Sequence, residues 1–302
     1  MHNLEANFDK FLSMIKDCFA GQIREDGNFK AYPRLPKLSD CEVIALAIVA
    51  EALSVDSENL LFSKLRTDYP GFFARMPDRT NYNRRKRGLK DKIDSFSLSA
   101  LSRLIPKESD YLIDSIPVPV CRLARASRLK NLKGDPDLMP AIGYAPIDRQ
   151  YYFGFKLHML SAESGVISNF LLTPANVHDI SALKDLAGES IQNCSLFGDK
   201  GYISRTGQIE LFEKNGVQLK TPNKRNQEPS AIWTPLERKK RKRIETLFSQ
   251  FCDQLMLKRN YAKSFDGFFT RLLAKIAAFT GLQLWNSISG RPLNHVKHAL
   301  AV

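Results

Sequence analysis

Cysteine is scarce in this sequence and shows no pattern. Its five residues, Cys18, Cys41, Cys121, Cys194 and Cys252, are scattered, odd in number and without any Cys-x-x-Cys or Cys/His pairing. This excludes a disulfide framework and a spaced zinc-ligand set, and it suits a reducing cytoplasm. Long apolar runs are missing too. The longest, such as residues 43–52, are too short to span a bilayer, so no membrane partner is expected. Glu5, Asp9 and Lys10 interrupt the opening apolar residues, which argues against a signal peptide. No internal repeat or low-complexity tract is visible. Acid is the remaining shortage: 32 Asp+Glu face 45 Lys+Arg, a formal net charge of +13. Excess base favours polyanions, because neutralising phosphates releases condensed counterions. A solubilising surface would give the same count.

A chain of 302 residues with 43% hydrophobic residues can bury two cores. The first hundred residues read as helical. Leu4, Phe8, Phe11, Leu12, Ile15 and Phe19 share one helical face. Ser39 and Glu42 form a capping box before the apolar run that starts at Val43. A third helix is expected near residues 58–65. The stretch Arg79-Thr80-Asn81-Tyr82-Asn83-Arg84-Arg85-Lys86-Arg87 is dense in base. It marks Arg84, Arg85 and Arg87 as DNA contacts, although a helical cap with a solvated charged face fits equally well.

The texture changes at Tyr111. Residues 111–118 read as a buried strand ending in a Pro-marked bend, followed by a basic, irregular stretch from Arg122 to Lys133. Residues 151–160 and 166–172 form a strand pair around a Ser164-Gly165 turn. A helix is expected over residues 178–186, with Asn176 or Asp179 able to cap it, then a short strand at residues 196–199. A helix over residues 209–214 stops at Asn215-Gly216, and residues 217–220 are a fifth strand. A polar loop from Pro222 to Pro235 leads to a long helix with an apolar stripe at Ile244, Leu247, Phe248, Phe251 and Leu255. A last helix covers residues 268–284. This order implies a mixed sheet with helices on its faces.

Three acids stand out by position. Asp114 lies inside an apolar strand, where a carboxylate needs a partner or a metal. Asp199 ends the fourth strand between Gly198 and Gly201, where ligand and backbone can approach closely. Glu245 borders the buried stripe of the long helix. If the first and fourth strands are neighbours, Asp114 and Asp199 converge and the helix can add Glu245. Hard oxygen donors select Mg²⁺ or Mn²⁺, and two such ions would clamp the attacking and leaving oxygens of an in-line phosphoryl transfer. Each acid also has a plainer reading: a turn-satisfying strand Asp, a Gly-Asp-Lys-Gly turn, and a surface ion pair.

Four stretches carry a resemblance. They are Leu112-Ile113-Asp114-Ser115; Tyr152-Phe153-Gly154-Phe155-Lys156-Leu157-His158; Thr173-Pro174-Ala175-Asn176-Val177-His178-Asp179 leading into Phe197-Gly198-Asp199-Lys200-Gly201-Tyr202; and Arg243-Ile244-Glu245-Thr246-Leu247-Phe248-Ser249-Gln250. In order and spacing the chain resembles the bacterial insertion-sequence transposases of the DDE superfamily. The resemblance implies an RNase H-like α/β fold: a five-stranded mixed sheet flanked by helices, preceded by an all-α N-terminal domain. The expected domains are 1–108, helical and DNA-binding; 109–290, catalytic; and 291–302, a tail. The resemblance also implies that Asp114, Asp199 and Glu245 are the catalytic metal ligands for DNA strand cleavage and transfer. The family often places a Tyr and an Arg before the Glu and a Lys seven residues after it. Here Arg238 and Arg241 precede it, position 252 is Cys, and the next base is Lys258.

The expected partners are double-stranded DNA, as element ends and as target, and further copies of the chain in a dimer or larger assembly. A cytoplasmic, nucleoid-associated site follows. Further DNA contacts are expected from Lys156 and His158, which share a strand face, although His158 is also a candidate core histidine. Lys200 and Tyr202 beside Asp199 join them, with Arg238, Arg241 and Lys242 in the basic run before Glu245, and Lys258. His178 and Asp179 read as helix-capping residues. Trp233 is expected to pack on the long helix rather than stack on a base. A non-catalytic DNA-binding descendant and a general RNase H-like nuclease are the alternatives.

Overall fold

The computed structural model describes every residue except 1–2, 105–107, 129–131, 133–137, 147, 189, 223–232 and 302. Most of the expected loop from Pro222 to Pro235, and part of the basic stretch from Arg122 to Lys133, lie outside the described residues. The chain forms two compact units. One contains Met1–Leu104 and Phe251–Val302, the other Ile105–Gln250.

The first unit is helical. Its leading segment holds α1 (Leu4–Cys18), α2 (Asp40–Ala52), α3 (Glu58–Asp68), α4 (Pro70–Ala74), α5 (Arg79–Gly88) and α6 (Lys90–Ser102). The expected capping box is present: Ser39 Oγ accepts from Glu42 N, and Glu42 Oε2 accepts from Ser39 N at 2.7 Å. Apart from Glu42, every residue of α2 is buried. A helix apolar all round belongs in the middle of a bundle. Asp40, buried at its start, accepts from Tyr32 Oη (2.9 Å), Phe29 N (3.1 Å) and Arg85 Nη2 (2.7 Å).

The second unit holds β1 (Asp110–Cys121), β2 (Ala141–Ala145), β3 (Gln150–Ala162), β4 (Ile167–Pro174), α7 (Asp179–Ala187), β5 (Ser195–Phe197), α8 (Arg205–Asn215), β6 (Gln218–Lys220) and α9 (Pro235–Asp253), the last as far as Gln250. The mixed sheet runs β2-β3-β1-β5-β6, with β4 also paired to β3. β1 and β3 are antiparallel, whereas β1–β5 and β5–β6 are parallel. This is the expected RNase H-like α/β arrangement, with one addition: the short strand β2, to which the sequence reading assigned no element, pairs the first half of β3. Gly154 of β3 lies opposite a bulge in β1, and a Cβ there would come 2.3 Å from the Val118 carbonyl oxygen.

The expected neighbourhood of the first and fourth strands is present. Asp110, Tyr111 and Leu112 of β1 pair with Ser195, Leu196 and Phe197 of β5. β5 ends there and β1 continues, so a notch opens beside β1 from Ile113 onward.

The last helix, α10 (Phe265–Ile288), packs on α2 and α6 of the helical unit. The 109–290 boundary expected from sequence put this segment with the sheet. Its burial on nearly every side suits a bundle centre. The expected tail also docks in the helical unit: Asn3 N donates to Ala301 O (3.0 Å) and Lys10 Nζ to Ala299 O (2.5 Å).

Candidate active site

The notch beside β1 gathers three aspartates from three elements. Asp114 projects from β1 one residue beyond Ile113, with its side chain only 16% exposed. Its Oδ1 accepts from Ser115 N at 2.8 Å, and its Oδ2 accepts from Arg241 Nη2 of α9 at 2.9 Å. Burial pushes its carboxyl up to about 6, against the opposing pull of Arg241 and with further upward pressure from Asp199 and Asp179.

Asp199 follows β5 after Gly198. It caps a short 3₁₀ turn, Lys200–Tyr202, by accepting from Gly201 N at 2.7 Å. Gly201 leaves the space between two acids open. A Cβ there would lie 2.8 Å from Asp179 Oδ2 and 2.9 Å from Asp199 Oδ1. One missing side chain therefore lets both carboxylates close on the same point.

Asp179 opens α7. Its Oδ1 accepts from Lys156 Nζ (2.9 Å) and Ser115 Oγ (3.1 Å), and stands 3.8 Å from His158 Nδ1. Sequence reasoning gave Asp179 a capping role and missed this hub. The signal available was the pairing of Ser115 with His158 across β1 and β3, with Lys156 two residues earlier on the same face. His178 occupies the N-cap position but makes no side-chain capping bond.

His158 is completely buried. Its Nε2 lies 2.9 Å from Thr173 Oγ1 and its Nδ1 3.4 Å from Tyr202 Oη. Burial pulls its pKa down to about 4, outweighing the upward pull of Asp179, with Lys156 also lowering it. It is therefore neutral near pH 7. The expected DNA contacts at His158 and Tyr202 are corrected by this burial, since neither side chain reaches the surface. Lys156 is held by Asp179 and by the Val177 carbonyl (2.9 Å), and Arg85 by Asp40 and the Leu38 carbonyl (2.5 Å). Both are structural cations in this arrangement.

The basic run on α9 divides by helical position. Lys240 pairs with Asp110 and with Glu163 (2.9 Å), and Arg241 pairs with Asp114. These two bases hold α9 against the sheet, while Arg238, Lys239, Lys242 and Arg243 are exposed. Arg241 also lies over the Trp233 ring, 5.6 Å from its centroid, and Trp233 packs edge-on to Phe197 at 6.4 Å. The second guanidinium nitrogen of Arg241, Nη1, is buried and has no hydrogen-bond partner among the described residues.

Glu245 follows Arg241 by one helical turn, so the two share a side of α9. It is exposed, off the buried stripe of Ile244, Leu247 and Phe248. Among the described residues, no three His, Cys, Asp or Glu side chains are close enough together to hold a metal ion. The structure brings Asp114 and Asp199 into one notch with Asp179, and Glu245 is exposed on the helix that supplies Arg241. Of the remaining expected DNA contacts, Arg84, Lys200, Arg238, Lys242 and Lys258 are exposed and Arg87 is half-buried. No helix among the described residues is long and apolar enough to cross a membrane.

The comparisons with known proteins point the same way. Residues 105–280 match the family model described as a Transposase DDE domain, more than half of the 302-residue chain. No curated protein and no solved structure matches the chain. With the sheet order and the acid-lined notch already in place, that match settles the family: this chain belongs to the DDE-type transposases, which act on DNA and generally use divalent metal ions.

Proposed function

We propose that this chain mobilises a DNA element. It binds the element's terminal inverted repeats as a dimer or larger assembly, cuts a strand at each end, and joins the freed 3′-hydroxyl to target DNA. One observation carries the reading: Asp114 and Asp199 meet in the notch where β1 outruns β5, inside the matched transposase domain. A crevice beyond the carboxyl end of a parallel strand is where α/β sheets commonly take their ligands.

The donors fit a hard divalent cation. Asp114, Asp199 and Glu245 offer oxygen only, and the nearby imidazole of His158 is already engaged by Thr173 and Tyr202. Mg²⁺ or Mn²⁺, as two ions, would be held by these three residues, Glu245 reaching the pair from the next turn of α9. Such ions supply Lewis-acid stabilisation of the oxygens exchanged at phosphorus.

The chain's own groups do the remainder. Arg241 balances Asp114, and its Nη1, without a partner among the described residues, is a donor suited to a phosphate oxygen. Arg238 and Lys242, exposed on the same helix, hold neighbouring phosphates without reading sequence. Asp179, Lys156 and neutral His158 fix the floor beneath Ser115 and Tyr202. Strand cleavage and strand transfer each replace one oxygen by another at phosphorus, so a single site serves both.

The test uses supercoiled DNA carrying the element's two ends, incubated with the protein and Mg²⁺. The parent nicks at the ends, and Asp114→Ala and Asp199→Ala lose at least about 10²–10³-fold in rate, the usual loss when a key transition-state contact is removed. Parent-like cleavage by Asp114→Ala overturns the site. Equal cleavage of random DNA identifies a general nuclease instead.

A further inference from the structure

The helical unit carries a cleft of about 440 Å³ that the active site does not use. Its walls come from the first turns of α3 and α10, from α5, and from the segment before α10. Arg79, Asn83 and Arg87 line one side at successive four-residue steps of α5, and Tyr261 and Lys263 face them. We propose that this cleft is a docking groove for the phosphodiester backbone of DNA, with Arg79, Arg87 and Lys263 as its phosphate contacts. The inference rests on the reading of the chain as a DNA-acting enzyme and names where in the helical unit DNA is held.

Charge bookkeeping within the cleft favours a polyanion. Its one acid, Glu58, is already taken by Lys86 at 2.5 Å. Arg79, Arg87 and Lys263 form no ion pair among the described residues, so three positive charges face the space uncompensated. This contrasts with Arg85 on the same helix, whose guanidinium is 12% exposed and fixed to Asp40. The helix thus separates its bases by face: Arg85 and Lys86 hold the fold together, while Arg79 and Arg87 line the groove.

Geometry favours a strand over a small anion. Arg79 and Arg87 are eight residues apart, about 12 Å along a helix axis, and a DNA strand rises about 3.4 Å per phosphate. The two arginines are therefore too far apart for one small anion and suit separate phosphates of one strand. The N-terminal turns of α3, α5 and α10 add partial positive charge to the same walls. Tyr261 is 60% exposed at the rim, placed to lie against a sugar or an unpaired base.

The experiment measures binding of the full chain to element-end DNA in EDTA, so that no strand is cut, across a series of salt concentrations. Replacing all three bases (Arg79→Ala, Arg87→Ala, Lys263→Ala) is expected to reduce the salt slope by about 2.7 and to weaken binding about 100-fold at 0.15 M salt, from roughly 0.9 counterions released per phosphate contact. The charge-keeping set Arg79→Lys, Arg87→Lys, Lys263→Arg is expected to bind within about threefold of the parent. Should the triple alanine variant lose its helical circular dichroism, the single variants Arg79→Ala and Arg87→Ala are used, each expected to lower the slope by about 0.9. An unchanged slope in a folded variant, with the parent binding normally, overturns the groove and leaves the transposase reading intact. A parent that does not bind DNA overturns both. Inorganic phosphate that displaces DNA at an equal concentration of phosphate groups identifies a small-anion site and also overturns the groove.

Discussion

Two clusters of buried charge in this protein are built in opposite ways. In the helical unit, Glu51 receives Arg271 Nε at 2.7 Å, Arg271 Nη2 at 3.1 Å and Lys275 Nζ. The spare donors are taken as well, Arg271 Nη1 by the Asp56 carbonyl (2.6 Å) and Lys275 by the Leu255 carbonyl. Burial alone would raise the Glu51 carboxyl, but Lys275 and Arg271 outweigh it and bring it down to about 2. In the notch of the sheet unit, acids dominate instead. Asp114 pairs with Arg241 and Asp179 with Lys156, no ion pair forms at Asp199 among the described residues, and Asp114 stays up at about 6 despite its arginine. One cluster is closed and complete. The other holds unbalanced carboxylate and an Arg241 nitrogen without a partner among the described residues, the condition of a site arranged for charge that arrives with a ligand.

The largest effect expected from this contrast lies on the closed side. Glu51→Gln leaves two buried cations without a counter-ion and is expected to lower unfolding free energy by about 3–5 kcal/mol, read from urea denaturation. Stability from Glu51 should be fully present above the ordinary glutamate pKa of about 4.3 and be lost as pH falls toward about 2. A loss under about 1 kcal/mol in Glu51→Gln would show that the cluster is not the structural anchor described.

Next in size is Gly201→Ala. The added Cβ meets the ends of two carboxylates, Asp179 Oδ2 and Asp199 Oδ1, rather than backbone. The acids can swing away, so the melting temperature is expected to change little. Strand cleavage is expected to fall about 10- to 100-fold, the usual result of misplacing reacting groups by about 1 Å. A variant equally active with an unchanged melting temperature would mean that the spacing of these acids is unimportant.

The smallest effect has the opposite sign. Asp114 has a raised folded-state pKa, so the folded protein binds more protons than the unfolded chain between about pH 4 and 6. Ionised Asp114 therefore destabilises the fold above that window. In EDTA, Asp114→Asn is expected to be more stable than the parent by on the order of 1 kcal/mol at pH 7.5, and the gain should vanish below about pH 4. Thermal melting at the two pH values checks it; a destabilised variant at pH 7.5 would place Asp114 with the structural acids.

Much of this contrast could be read from residues alone. The apolar setting of Asp114 and the glycines around Asp199 are plain in the residues, while the adjacency of their strands was only a condition that the pairing of β1 with β5 meets. The capping box at Ser39 and the Ile244 stripe were equally plain. What escaped is non-local. Arg271 and Lys275 stand inside an apolar helix with nothing in sequence to announce Glu51, more than two hundred residues away. α10 left the sheet for the helical bundle because an all-round apolar helix follows packing opportunity rather than chain order. Strand β2 exposes its larger apolar residues, Ile142 and Tyr144, and buries only Gly143 and Ala145, so it carries no core-facing pattern and depends on β3 to pair it. On α9, a buried Ile244 does not bury its neighbour, since successive residues turn by about 100°; Glu245 is therefore exposed, one turn along the same side of the helix as Arg241.

Metal uptake by the notch depends on its shortage of positive charge. Titration of Mn²⁺ into the metal-free protein, followed by electron paramagnetic resonance, measures that directly. The parent is expected to take up Mn²⁺, with Asp114→Asn and Asp199→Asn each weakening uptake by about 30-fold or more, an effect of about 2 kcal/mol. Uptake unchanged by both substitutions, or none in the parent with or without DNA, would contradict the central claim.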